Sequence, residues 1–105
     1  EAARAPVAFI ASGAAPPVLD RHDIDTTAVD SVREALDDSR FGDAYDAVTP
    51  AMVEAFCMAG TPETVAARMA AVHEHTDGLV VGSPLGPDLD TAVDLAGKAA
   101  RNAGF

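Results

Sequence analysis

The sequence contains one short pattern twice, and this repeat restricts the fold more than any other feature of the chain. Ala59-Gly60-Thr61-Pro62 and Val81-Gly82-Ser83-Pro84 each consist of a small or apolar residue, a glycine, a hydroxyl residue and a proline. An apolar run precedes each glycine. The hydroxyl residue suits a helix N-cap, and the proline suits the first helical turn. The repeat therefore predicts two successive strand–helix units.

The two predicted strands are short and apolar. They cover residues 55–59, closed by Gly60, and residues 79–81, closed by Gly82. Short apolar strands that alternate with helices are typical of parallel sheets, with right-handed crossovers. We therefore predict an α/β fold. Because ligands of parallel βα folds bind at the carboxyl ends of strands, both glycine-tipped ends are expected to open onto one mouth.

Three longer helices are predicted from apolar stripes at helical spacing behind a capping residue. The caps are Asp25, Thr61 and Asp88, and the first two helices are expected to end near residues 37 and 75. Helical turns are expected at 43–48 and 51–54, residues 7–10 fit a strand or a helix, and residues 14–17 are expected to break regular structure. The predicted inward side chains are Val29, Val32, Leu36, Val65, Met69, Val72, Leu89, Ala92, Val93, Ala96 and Ala99.

The chain is strongly acidic. Its 105 residues include 17 Asp and Glu against seven Lys and Arg, for a net charge of −10. Without a basic face to neutralise phosphates, nucleic acid and anionic membranes are not expected as partners. An ordinary acidic surface and a halophilic adaptation, in which salt screens carboxylate repulsion, are equally open. Cys57 is the single cysteine, so no intrachain disulfide is possible and a cytoplasmic location is expected.

No residue pattern assigns a reaction. His73 and His75 diverge on a helix and cannot share an ion, so no metal site is predicted. Cys57 lies in an apolar run and is expected to be a core residue. Each glycine segment fits either an ordinary helix entry or a ligand-binding loop. A helix entry is favoured at residue 60, whereas the two prolines and two glycines of residues 82–88 make a more rigid loop than a cap requires and leave both readings open.

Two segments resemble a known family. Residues 52–63 (Met-Val-Glu-Ala-Phe-Cys-Met-Ala-Gly-Thr-Pro-Glu) and 80–88 (Val-Val-Gly-Ser-Pro-Leu-Gly-Pro-Asp) resemble the C-terminal part of the 5,10-methylenetetrahydromethanopterin reductases. These belong to the luciferase-like monooxygenase superfamily of (β/α)8 barrels. The motif Gly-Thr-Pro-Glu is common across the superfamily, whereas Gly-Ser-Pro-Leu-Gly-Pro-Asp is more particular to the reductases. The resemblance runs through nearly all of the chain.

The resemblance implies that the chain is the C-terminal portion of a (β/α)8 TIM barrel. Residues 1–54 would be the mostly helical region between strands six and seven, which favours a helix at 7–10. Residues 55–105 would be the last two βα units, with strands seven and eight at 55–59 and 79–81. The open sheet edge of such a fragment is expected to promote self-association or pairing with the missing part of the barrel.

The resemblance also implies hydride transfer between the reduced deazaflavin coenzyme F(420) and a pterin-bound one-carbon unit. The cofactor would carry this chemistry. Catalytic residues would lie upstream of Glu1, so the 105-residue chain alone is expected to be inactive. The alternatives are an FMN-dependent monooxygenase of the same superfamily and a non-catalytic, acidic interaction module. The implied cofactor-binding residues are Met58, Ala59 and Gly60 beside the ring system, and Gly82, Ser83, Pro84, Leu85 and Gly86 at the rim.

Overall fold

The structure, a computed structural model, describes residues 1–82 and 85–105 and divides the chain into two compact units. Unit 1 holds Glu1 and Ala3–Cys57, and unit 2 holds Ala2 and Met58–Phe105. Within the described residues, the regular elements are α1 (Arg4–Ser12), α2 (Pro16–Arg21), α3 (Thr26–Asp37), α4 (Phe41–Asp46), α5 (Pro50–Phe56), α6 (Pro62–His73) and α7 (Leu89–Asn102). None of these helices has the length and apolar content needed to cross a bilayer.

Unit 1 is built around α1, which packs against α3, α4 and α5. Met52, Val7, Val29 and Val32 are its largest fully buried side chains. The helix predicted at 7–10 is confirmed, because these residues lie inside α1. Apolar burial from four helices at once supplies the stability that such short helices lack on their own.

Helix α3 follows the predicted pattern closely. The Asp25 carboxylate accepts the Thr27 N–H at 2.9 Å, which confirms the cap. Val29 and Val32 are buried and Leu36 packs beside them. The helix ends in a Schellman motif, in which the Arg40 N–H donates to the Ala35 carbonyl at 2.8 Å.

The break predicted at residues 14–17 is wrong at its second half. Helix α2 begins at Pro16, and both prolines occupy its first turn. A first-turn residue needs no intrahelical N–H donor, so proline starts a helix there rather than ending one. Leu19, which is 4% exposed, anchors α2 to the core of unit 1.

The strand predicted at 55–59 is wrong for its first two residues, because Ala55 and Phe56 end helix α5. The Thr49 hydroxyl caps this helix by accepting the Met52 N–H at 3.3 Å, and burial of Met52 fixes it to unit 1. Cys57 donates its N–H to Val53 at 2.9 Å and has extended dihedrals of −145° and 147°. Extended backbone therefore begins two residues later than the apolar run suggested.

No strand is present among the described residues, including 57–60 and 79–82. A strand is defined by hydrogen bonds to a neighbour, and short apolar segments have no stable β-structure without one. Of the strand–helix units predicted from the sequence, the described residues contain the helices but not the strands. The placement of these segments as strands seven and eight remains a prediction.

Unit 2 consists of α6 packed against α7. Met69, Ala99 and Ala103 form its buried centre, with Leu79 and Phe105 packed around it. Helix α6 ends at His73, two residues before the predicted end. The small core follows from the alanine-rich faces of both helices, which allow close approach but bury little apolar area.

The inward face predicted for α7 is too wide. Ala92 and Ala99 are buried, but Leu89 is 62% exposed and Val93 is 53% exposed. Helix α7 meets one neighbouring helix within unit 2, and a single helix–helix contact covers a narrower stripe than a layer of sheet would. The prediction assumed a sheet under α7.

Candidate cofactor site in the second unit

The described residues of the predicted cofactor site all lie in unit 2, in the two segments that lead into its helices. We call residues 58–60 the glycine edge. Its Met58, Ala59 and Gly60 are all exposed and lie directly before α6. In the second segment Gly82 is exposed, and Leu85 and Gly86 are half-buried before α7. Ser83 and Pro84 lie outside the described residues.

Gly60 has a backbone conformation that other residues rarely adopt. Its φ is +145°. A Cβ added at this position would lie 3.3 Å from both Cβ and Cγ2 of Thr64. Glycine is therefore favoured by its conformation, and Thr64 lies where a side chain of residue 60 would stand.

The start of α6 fixes the base of the glycine edge. The Thr61 hydroxyl accepts the Thr64 N–H at 3.3 Å, and the two threonine hydroxyl oxygens lie 3.0 Å apart. Pro62 follows as the first helical residue, and Glu63 lies in the first turn. These contacts confirm the predicted cap.

Gly86 lies against α7. A Cβ at Gly86 would stand 3.2 Å from the Cβ of Ala92. The cap predicted at Asp88 is confirmed, since its carboxylate accepts the Thr91 N–H at 3.3 Å. Because Gly86 has no side chain, the end of the predicted rim can lie close to α7.

The segment that precedes Gly82 presents apolar side chains to solvent. Leu79 packs on the core of unit 2, whereas Val80 is 98% exposed and Val81 is 47% exposed. Together with Met58, which is 36% exposed, these residues give unit 2 apolar surface beside its glycines. Neighbouring exposed apolar side chains, such as Val80 and Val81, are typical of an interaction or ligand surface.

In unit 1, Arg40 joins two neighbouring carboxylates. Eleven of the 17 acidic side chains and four of the seven basic ones belong to residues 1–57. In unit 1 the Arg40 guanidinium donates to Asp43 at 3.0 Å and to Asp38 at 3.4 Å. The hydrogen bond with Asp43 is the main cause of a raised pKa for Arg40, opposed by desolvation and supported by Asp38. In the part of the chain that the structure describes, no group of three metal-ligating side chains occurs.

Sequence reasoning did not single out Thr64. It occupies the third position of α6 and is the side chain that a Cβ at residue 60 would meet. A hydroxyl residue three positions after a capping threonine can be recognised in the sequence, because an N-cap side chain accepts the backbone N–H of that residue. The contact with Gly60 depends on how the glycine edge turns, which the sequence does not reveal.

The family model for luciferase-like monooxygenases matches residues 1–77, and the chain belongs to that family. Its similarity to curated relatives points to one branch. It is 40% identical over 99 residues to the 5,10-methylenetetrahydromethanopterin reductase of Methanopyrus kandleri. It is 39% identical over 102 residues to that of Archaeoglobus fulgidus.

The chain matches these relatives over most of its own length but covers only a small part of theirs. The two alignments cover 93% and 92% of this chain, and 28% and 31% of the relatives. The solved structure of the coenzyme F420 dependent tetrahydromethanopterin reductase from Methanopyrus kandleri matches with a TM-score of 0.89 and 39% identity. That match covers 95% of this chain and 29% of the other. The resemblance drawn from the sequence motifs is thereby confirmed.

Proposed function

We propose that this chain is the C-terminal part of a coenzyme F420-dependent oxidoreductase of the 5,10-methylenetetrahydromethanopterin reductase type. Its substrates would be the reduced deazaflavin and a pterin-bound one-carbon unit. The match to the Methanopyrus kandleri reductase, with a TM-score of 0.89 at 39% identity over 95% of the chain, is the observation that carries the proposal. Structure and sequence agree there on one enzyme class.

In this proposal residues 1–54 join barrel strands six and seven, and residues 55–105 form the last two βα units. One observation supports the assignment. The backbone at Cys57 is extended, which is the geometry of a strand. The remaining length of the relatives would supply neighbouring strands for both segments.

The proposed cofactor site is formed by the glycine edge and the described part of the rim: Gly82, Leu85 and Gly86. Its residues suit a flat ring system. Gly60 offers backbone without a side chain, and Met58 offers a polarisable thioether at 36% exposure. When bound, the deazaflavin would supply the hydride chemistry. The role of this chain would be to orient the ring and to exclude water from one side of it. Ser83 and Pro84 are proposed for the same rim.

A second candidate follows from the family name. Because the matching family is described as luciferase-like monooxygenases, FMN is an alternative cofactor for the same surface. A non-catalytic, acidic interaction module is the third reading, favoured by the uncovered apolar residues of unit 2. A cytoplasmic location stays a prediction that is based on the single cysteine.

A chimera tests the proposal. The 105 residues replace the matching C-terminal segment of the Methanopyrus kandleri reductase, and oxidation of reduced coenzyme F420 is followed through the absorbance of its oxidised form. We expect turnover with the deazaflavin and none with reduced FMN. Turnover with FMN alone would favour the monooxygenase, and a folded chimera that uses neither cofactor would favour the interaction module. The 105-residue chain by itself is expected to show no turnover.

A further inference from the structure

The Thr64 side chain lies at the base of the glycine edge, with its hydroxyl beside that of Thr61 and its methyl group facing the position that a side chain of residue 60 would occupy. Its Cβ and Cγ2 lie 3.3 Å from the point where a Cβ on Gly60 would stand. Its hydroxyl oxygen lies 3.0 Å from that of Thr61, which also accepts the Thr64 backbone N–H. One residue therefore connects the helix cap to the glycine.

The positions of the Thr64 hydroxyl and methyl group depend on each other. In a β-branched residue the hydroxyl and the methyl group share one χ1 torsion, so fixing one branch fixes the other. The hydroxyl contact with Thr61 thus directs the methyl group at Gly60. A serine would keep the hydroxyl contact and lose the methyl group, and a valine would keep the branched shape and lose the hydroxyl.

Gly60 needs such support. At a φ of +145° it occupies a region that is open to glycine, but glycine is also the residue with the largest backbone freedom. We infer that Thr64 is a positioning residue for the proposed deazaflavin site: its methyl group limits the motion of Gly60 and so sets the direction of the glycine edge. This inference rests on the proposed function for the identity of the ligand, and on the Gly60 contact for the mechanism.

The first measurement uses the 105-residue chain and needs no cofactor. The NMR order parameter of the Gly60 amide reports its motion on the picosecond to nanosecond scale. Thr64→Ser and Thr64→Val are both expected to lower it from the rigid range of about 0.85 towards about 0.6, and Thr64→Ala to lower it further. Thr91→Ala is the matched control, since Thr91 occupies the same third position of α7 behind the Asp88 cap. It is expected to leave Gly60 unchanged.

The second measurement titrates oxidised coenzyme F420 into the chimera described above. Loss of one branch of Thr64 is expected to raise the dissociation constant about three- to tenfold, the range set by one modest contact, with Thr91→Ala at the unsubstituted value. A Gly60 amide that stays rigid in both Thr64→Ser and Thr64→Val overturns the inference. So does an unchanged affinity in variants whose Gly60 has loosened. If the unsubstituted chimera binds no cofactor, the proposed function is wrong, and Thr64 then has no cofactor site to position.

Discussion

The Phe105 ring lies against the His73 imidazole, with ring centroids 4.3 Å apart and planes tilted by 46°. This contact joins the last residue of the sequence to the end of α6. It follows from the way α7 ends, because the Phe105 N–H donates to the Ala100 carbonyl at 3.0 Å in a Schellman motif. Gly104, at a φ of +101°, turns the chain back towards His73.

Phe105→Ala is expected to destabilise unit 2 by about 1–3 kcal/mol, less than the loss of a fully buried phenylalanine because the ring is half-buried. Urea unfolding of the 105-residue chain measures this difference. Val80→Ala serves as the control, since its side chain is 98% exposed and its removal should change stability by less than about 0.5 kcal/mol. Equal effects from the two substitutions would show that the Phe105 contact does not stabilise the unit.

Gly60→Ala is expected to lower the free energy of unfolding by about 1–3 kcal/mol. Alanine rarely adopts a φ of +145°, and its Cβ would press on Thr64 at 3.3 Å. Part of this cost should disappear in the Thr64→Ala background, where the contact with Cγ2 is removed and that with Cβ remains. A double-mutant cycle in urea isolates that coupling. Gly78→Ala is the control, since a Cβ there meets nothing within 4 Å. Strict additivity of the two substitutions would contradict the contact.

Ser39→Gly is expected to stabilise unit 1 by about 0.5–1 kcal/mol. Ser39 has a φ of +60° at the end of α3, in the same Schellman position that glycine occupies at residue 104. Glycine takes this conformation without the Cβ penalty. Ser31→Gly is the opposite control: inside α3, it should destabilise by a similar amount. Thermal unfolding of both variants should therefore give shifts of opposite sign.

Asp37→Asn is expected to raise the melting temperature at low ionic strength. Asp37 is the last residue of α3, whose final turn holds no basic residue, so its charge opposes the helix dipole.

The whole chain should also melt higher in molar salt, since its net charge of −10 is then screened within about 3 Å. The gain from Asp37→Asn should shrink under the same conditions. Melts of both proteins that are independent of salt would remove the halophilic hypothesis.

Arg40→Gln is expected to leave the pH dependence of unfolding unchanged between about pH 6 and 9. The pKa of Arg40 is raised in the folded state, chiefly by its hydrogen bond with Asp43. A raised pKa stabilises the fold below the unfolded-state value and is lost only as the pH rises through the folded-state value. For a guanidinium that window lies far above neutrality. A change in slope near pH 7 would contradict the assignment.

Local sequence was enough to predict the helix caps and the family. Asp25, Thr61 and Asp88 cap the helices that were predicted behind them. Capping depends on a side chain and an N–H two or three residues away, so it can be read from the sequence. The motif of residues 82–88 indicated the resemblance to the reductases, because such a resemblance depends on residue identities and not on coordinates.

Tertiary structure decided the rest. Ala55 and Phe56 are helical because burial of Met52 holds α5 in unit 1, and the apolar run alone does not reveal that. The exposure of Leu89 and the contact between Thr64 and Gly60 likewise depend on distant packing and on the turn of the backbone. Helix starts are set by contacts within a few residues, whereas burial and side-chain contact are set by which surfaces meet in space. The sequence therefore determined where the three capped helices begin and which family this is, and packing determined where α5 ends and which side chains are buried.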